Sequence, residues 1–130
     1  MSSGTYFKNE VIELWLENGI VYAIYTKNAV ITLEIAKEIV YERLRIVGAR
    51  TYPSLSDYTG NMQITKEARA FFASSESIKQ VSAGAFLVKN LIQQFLGNAF
   101  LKFNKPTIPA RIFSNKEDAI KWLEFYKNLN

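Results

Sequence analysis

The chain has 130 residues, 48% hydrophobic and 14% aromatic, a length at which a single ordered domain buries roughly two-thirds of its unfolded surface. It contains no Cys and no His, which excludes disulfides, zinc–thiolate sites, cysteine nucleophiles, Ser-His-Asp chemistry and most transition-metal sites, so neither a metal nor a cofactor is expected. The net charge of +4 is uneven: residues 77–116 hold no Asp or Glu and carry +6, which leaves the rest of the chain at −2.

The opening residues have neither a basic leader nor an apolar core, and no run reaches the ~18 apolar residues that span a bilayer. A cytoplasmic protein without a transmembrane segment is expected, with residues 1–9 a tail and 10–130 one domain. The first strong signal is two β-rich runs, residues 11–17 and 20–25, around Asn18-Gly19. Asn-Gly supplies the positive φ angles of a two-residue type I′ turn, so this is a hairpin. Thr32 then stands as a helix cap, and Ile35, Ala36, Ile39, Val40, Leu44 and Val47 recur at helical spacing until Gly48 permits a left-handed stop.

A short strand follows over residues 52–56, with Pro53 near its start and Asp57 at its end. Asp57 suits a strand end, where its carboxylate accepts amides from the next turn. Thr65 can cap a helix over 66–73 that turns Ala68, Phe71 and Phe72 inward, and the Ser74-Ser75 pair closes it. Residues 81–88 form a near-continuous small and apolar run, the pattern of a strand covered on both faces, and read as the sheet centre. Asn90 can cap an oily helix over 91–103, which ends before Lys105-Pro106. A last strand follows over 109–113, and Ser114 with Glu117 has capping-box spacing for a final helix through Ala119, Ile120, Leu123 and Tyr126. The order ββαβαβαβα, with about four helices, demands parallel crossovers and a mixed α/β sheet with one antiparallel hairpin arm at its N-terminal end.

With the element order, the segment Leu55-Ser56-Asp57 and the helix start Thr65-Lys66-Glu67-Ala68 in place, the chain resembles the STAS domain, in its anti-sigma-factor antagonist-like branch. The resemblance covers most of the chain and implies a single-domain STAS-like fold. Regulatory members carry Asp-Ser-Ser-Gly at that helix start, and a partner kinase phosphorylates a serine there. Thr65, Lys66, Glu67 and Ala68 stand in those four places, so neither serine hydroxyl remains and the usual phosphoswitch is not expected. From residue 81 to the final helix the chain is most similar to uncharacterised STAS-like proteins, for which the resemblance supplies no activity. Thr65 itself reads as a helix cap, although a phosphate would be favoured at a helix N-terminus. Lys66 and Glu67 read as solvated first-turn residues.

The oily helix carries the functional expectation. At ~100° per residue, Leu91, Phe95, Ala99, Ile92, Phe103, Leu96 and Phe100 cover an arc of about 180°, with Leu101 outside it. Packing on a sheet needs only a ~100° stripe, so Phe100 and Leu101, with Phe103 or Leu91, are in excess. Exposing each forfeits on the order of 1.5–3 kcal/mol, which calls for a cover. The last helix could enclose them through Trp122, Phe125 or Tyr126. Otherwise a homodimer or protein partner, a lipid or other amphiphile beneath or on the helix, or a weak anionic membrane contact through Lys89, Lys102 and Lys105 would cover them. Nucleic acid is not expected, because the basic residues form no Arg-rich or RNP-like cluster. Catalysis is not expected either, since no phosphate loop, paired carboxylates or His is present. The expected function is therefore non-catalytic binding, first through protein contact and alternatively through an apolar or anionic small ligand, at Leu91, Phe95, Phe100, Leu101, Lys102, Phe103 and Lys105.

Overall fold

The computed structural model describes residues 4–127. They run as β1 (Tyr6–Lys8), β2 (Ile12–Glu17), β3 (Ile20–Tyr25), β4 (Val30–Ile31), α1 (Leu33–Val47), β5 (Tyr52–Asp57), β6 (Gln63–Ile64), α2 (Lys66–Phe72), β7 (Val81–Leu87), α3 (Leu91–Asn104), β8 (Ala110–Phe113) and α4 (Lys116–Glu124). This is an α/β domain with a mixed sheet, an antiparallel N-terminal hairpin and four helices.

Local chemistry explains most element boundaries. Asn18 and Gly19 both adopt positive φ, 52° and 77°, so β2 turns directly back on β3 with register from Ile12 opposite Tyr25 to Glu17 opposite Ile20. Three helices start at side chains whose oxygen takes the amide three residues on: Thr32 from Ile35, Thr65 from Ala68 and Asn90 from Gln93. α1 stops at Gly48, whose φ of 62° suits a residue without Cβ.

The main sheet has the order β1-β2-β3-β5-β7-β8, antiparallel from β1 to β3 and parallel from β3 to β8. Four features depart from the sequence reading. Tyr6–Lys8, inside the stretch read as a tail, pair with β2 as an edge strand. The apolar strand β7 lies one place in from the other edge, not at the centre, because short β8 is all that follows it. A second, two-stranded sheet joins β4 to β6. The cap of α4 is Asn115, whose Oδ1 accepts from the Asp118 amide, and not Ser114 one residue earlier.

Side chains alternate across the sheet and fill two layers. On one side, Ile12, Leu14, Tyr25 and Ile31 pack with Ala36, Ile39 and Ile46 of α1 and Ala68 of α2. On the other, Tyr22, Leu55, Ala85, Leu87 and Phe113 pack with Ala119 and Leu123 of α4. An aromatic column continues the first layer along the sheet: Tyr25 stacks on Tyr58 at 5.1 Å between centroids, and Tyr58 on Phe86 at 5.7 Å. Burial raises the Tyr25 phenol well above its usual range and pushes Tyr58 up to about 12. Arg43 of α1 reaches out of this layer and donates from Nη1 to Ser77 O at 2.7 Å and from Nη2 to Lys79 O at 2.8 Å. Burial lowers its pKa to about 10.

Candidate functional site

α3 forms without a single acidic residue, so its ends must be held by other means. Asn90 Oδ1 accepts the Gln93 amide at 2.9 Å, and Gln93 Oε1 accepts the Lys89 amide at 2.7 Å, a reciprocal cap. At the far end Lys105 turns left-handed at φ 33°, its N–H donates to Leu101 O, and Pro106 follows.

The seat of the helix is set by Gly97. A Cβ there would lie 2.9 Å from Ile112 Cδ1, so glycine lets the helix settle directly on β8 without displacing the Ile112 side chain. Ile112 and Phe113 are neighbours on one strand and face opposite sides; Phe113 packs on Trp122 of α4, so α3 shares the side of the sheet that α1 and α2 cover. Gln93, Gly97, Phe100 and Leu101 form the half-buried stripe toward the fold, at positions i, i+4, i+7 and i+8.

The opposite arc is open. Leu91 is 81% exposed, Ile92 72%, Phe95 72%, Leu96 60% and Phe103 86%, and no residue of α3 is buried. Lys102 projects between Leu91 and Phe95 on the helix circumference, and Lys89 and Lys105 stand exposed at the two ends.

Leu91, Phe95, Phe103, Lys102 and Lys105 therefore come together on one surface. Phe100 and Leu101, read as the apolar excess, are turned partly toward the fold, and Ile92 and Leu96 take their place outside. Gly97 is the signal that could have revealed this, since a glycine inside an apolar helix usually marks a close approach. Enclosure by the last helix does not occur: Trp122 packs on Phe113 and Tyr126 in the other layer, and Phe125 is 74% exposed.

The remaining singled-out residues lie on other elements. Asp57 ends β5, and its Oδ1 accepts both the amide and the hydroxyl of Thr59, at 2.8 and 2.6 Å. Thr65 Oγ1 accepts the Ala68 amide at 3.2 Å, while Lys66 and Glu67 are exposed in the first turn of α2. Among the described residues no group of three or more Asp or Glu could hold a metal ion, and no helix is long and apolar enough to cross a membrane.

No curated protein matches the chain. Among solved structures, an uncharacterized protein of the DUF3478 family from Shewanella loihica PV-4, described as having a SpoIIAA-like fold, is similar with a TM-score of 0.61 and 17% identity, over 95% of this chain and 98% of that one. A protein with unknown function from Arthrobacter sp. FB24 is 27% identical over 85% of this chain and 97% of that one, with a TM-score of 0.34. The first likeness shows a SpoIIAA-like, hence STAS-like, fold. A family model for a domain of unknown function, DUF7793, matches residues 14–127, and the chain belongs to that family.

Proposed function

We propose that this STAS-like domain is a non-catalytic binding module that works by protein–protein contact through the outer face of α3. The observation that carries the reading is a helix with five large apolar side chains at 60–86% exposure and no buried residue. Each such side chain gains on the order of 1.5–3 kcal/mol when covered, so a complementary groove recovers several kcal/mol. The rim of the face is cationic, with Lys89, Lys102 and Lys105 and no acid anywhere in residues 77–116. A second copy would bring the same lysines against these, whereas a partner groove edged by Asp and Glu would match them. The module acts without a serine phosphoswitch: the Thr65 hydroxyl is engaged as a cap, and Lys66 and Glu67 carry no hydroxyl.

A photo-crosslinking residue placed at Leu96 and, separately, at Tyr41, which is 67% exposed on α1, tests the reading in the native cell. The expected result is a discrete adduct to another protein from position 96 alone, weakened by Phe103→Ser and by added salt. A self-adduct would assign the face to a homodimer, and equal labelling from both positions would remove the face as an interface.

Anionic lipid is the second reading, supported by Phe103 standing between the exposed Lys102 and Lys105. Each lysine would contribute about 1 kcal/mol near such a surface, so binding would be weak and reversible. Flotation with phosphatidylglycerol vesicles, compared with phosphatidylcholine alone, separates the two readings.

A further inference from the structure

Three loops meet at the carboxyl ends of β3, β5 and β7. The Asn28 amide donates to Gly60 O at 2.9 Å and ties the turn after β3 to the turn after β5. Glycine eases that approach, because a Cβ at position 60 would lie 3.1 Å from Lys27 Cα and 3.2 Å from Tyr25 O, so the backbone there would have to give. With the start of α3 as the third wall, the loops border a half-open cavity of about 400 Å³. The carboxyl ends of parallel strands are where open α/β sheets take their ligands.

Lys27 and Lys89 are the charged side chains that line this cavity, and they reach it from different loops. The ion pairs among the described residues join Arg45 to Glu42 and Lys127 to Glu124, so neither cavity lysine has a carboxylate partner. Asp57 lies below the same turn, but its Oδ1 is taken up by Thr59. The rest of the lining is neutral and polar, with Thr59, Asn61 and Asn90 among it. At the start of α3 the Gln93 and Lys89 amides are already engaged by the Asn90 and Gln93 side chains. The attraction in the cavity is that of two unpaired ammonium groups.

We propose that this cavity binds a small molecule bearing a phosphate group. A phosphate carries −1.5 to −2 charge near pH 7, which two lysines match, and lysine ammonium groups bind it as point charges. The site shares Lys89 with the rim of the outer face of α3 but none of that face's apolar side chains, since Leu96 and Phe103 are not among its lining residues.

An NMR titration of the full chain with inorganic phosphate, against sodium chloride at equal ionic strength, tests the site. The expected result is saturable shifts of the Lys27, Asn61 and Lys89 amides with phosphate and none with chloride. Lys27→Gln with Lys89→Gln should weaken binding at least about tenfold, while Lys66→Gln on α2 leaves it unchanged. All three lysines are exposed, so an unchanged dispersion of the remaining resonances verifies that each variant is folded. Repetition with glycerol 3-phosphate distinguishes sources: tighter binding indicates a phosphate ester, and equal binding the free anion. Non-saturating shifts, shifts matched by chloride, or undiminished affinity in the double variant overturn the proposal.

Discussion

α1 and α3 are helices of 15 and 14 residues with side-chain caps at their N-termini, and they lie on the same side of one sheet. α1 carries six charged residues and α3 one, yet α1 buries Ala36, Ile39, Val40, Ile46 and Val47 while α3 buries nothing. The more apolar helix is the less covered one. Burial follows from how many neighbours approach a helix, not from how oily it is: α1 lies over β2 and against α2, whereas α3 rests on edge strand β8. An apolar face left open in this way is where a binding surface is to be sought.

The contrast can be broken most forcefully at its buried end. Ile39→Ala should cost about 2–5 kcal/mol in urea unfolding, whereas Phe95→Ala on α3 should stay within about 0.5 kcal/mol. Equal losses would mean that α3 is covered after all. Gly97→Val should cost about 1–3 kcal/mol by pushing the helix off Ile112, and the change should appear as faster amide exchange in α3 with α1 protected. Thr65→Ala should cost about 1 kcal/mol as a lost cap, by thermal unfolding, and should leave any α3-dependent association intact.

The smallest effect is confined to alkaline solution. The Tyr58 phenol has a folded pKa of about 12 against 10 unfolded, so the stability it contributes is complete below pH 10 and is lost as pH rises through 12. Tyr58→Phe should therefore lose less stability than the parent between pH 10 and 12, read from urea midpoints at the two ends. Arg43 shifts the opposite way, its folded value of about 10 lying below 12.5, but it is common to both proteins and drops out of the difference. Identical slopes would indicate that Tyr58 is solvated.

Much of the fold could be read before any coordinates, because short-range chemistry specifies it. The Asn18-Gly19 turn, the caps at Thr32, Thr65 and Asn90 and the Gly48 stop each depend on a few adjacent residues. What escaped depends on distant pairing. β4 and β6 are two residues each, too short for any periodicity, and β1 exists only because Trp15 and Leu14 lie opposite Tyr6 and Phe7. Ser114 and Asn115 are equally good caps, and only the observed backbone chooses between them. For the candidate site, helical spacing revealed that α3 is too apolar for one buried stripe. It could not supply the rotation of the helix about its axis, which Gly97 and Ile112 determine, and that rotation exchanged Phe100 and Leu101 for Ile92 and Leu96 on the open face. The cavity between the loops was out of reach, since Lys27 and Lys89 are 62 residues apart in sequence.

Among the described residues α4 alone packs on the second layer, over Tyr22, Leu55, Ala85, Leu87 and Phe113. During synthesis those five side chains have no roof until α4 has left the ribosome, although the hairpin, α1 and α2 can already close the other layer. A chain that folds from its N-terminal end therefore leaves this layer open to water until Ala119 and Leu123 arrive.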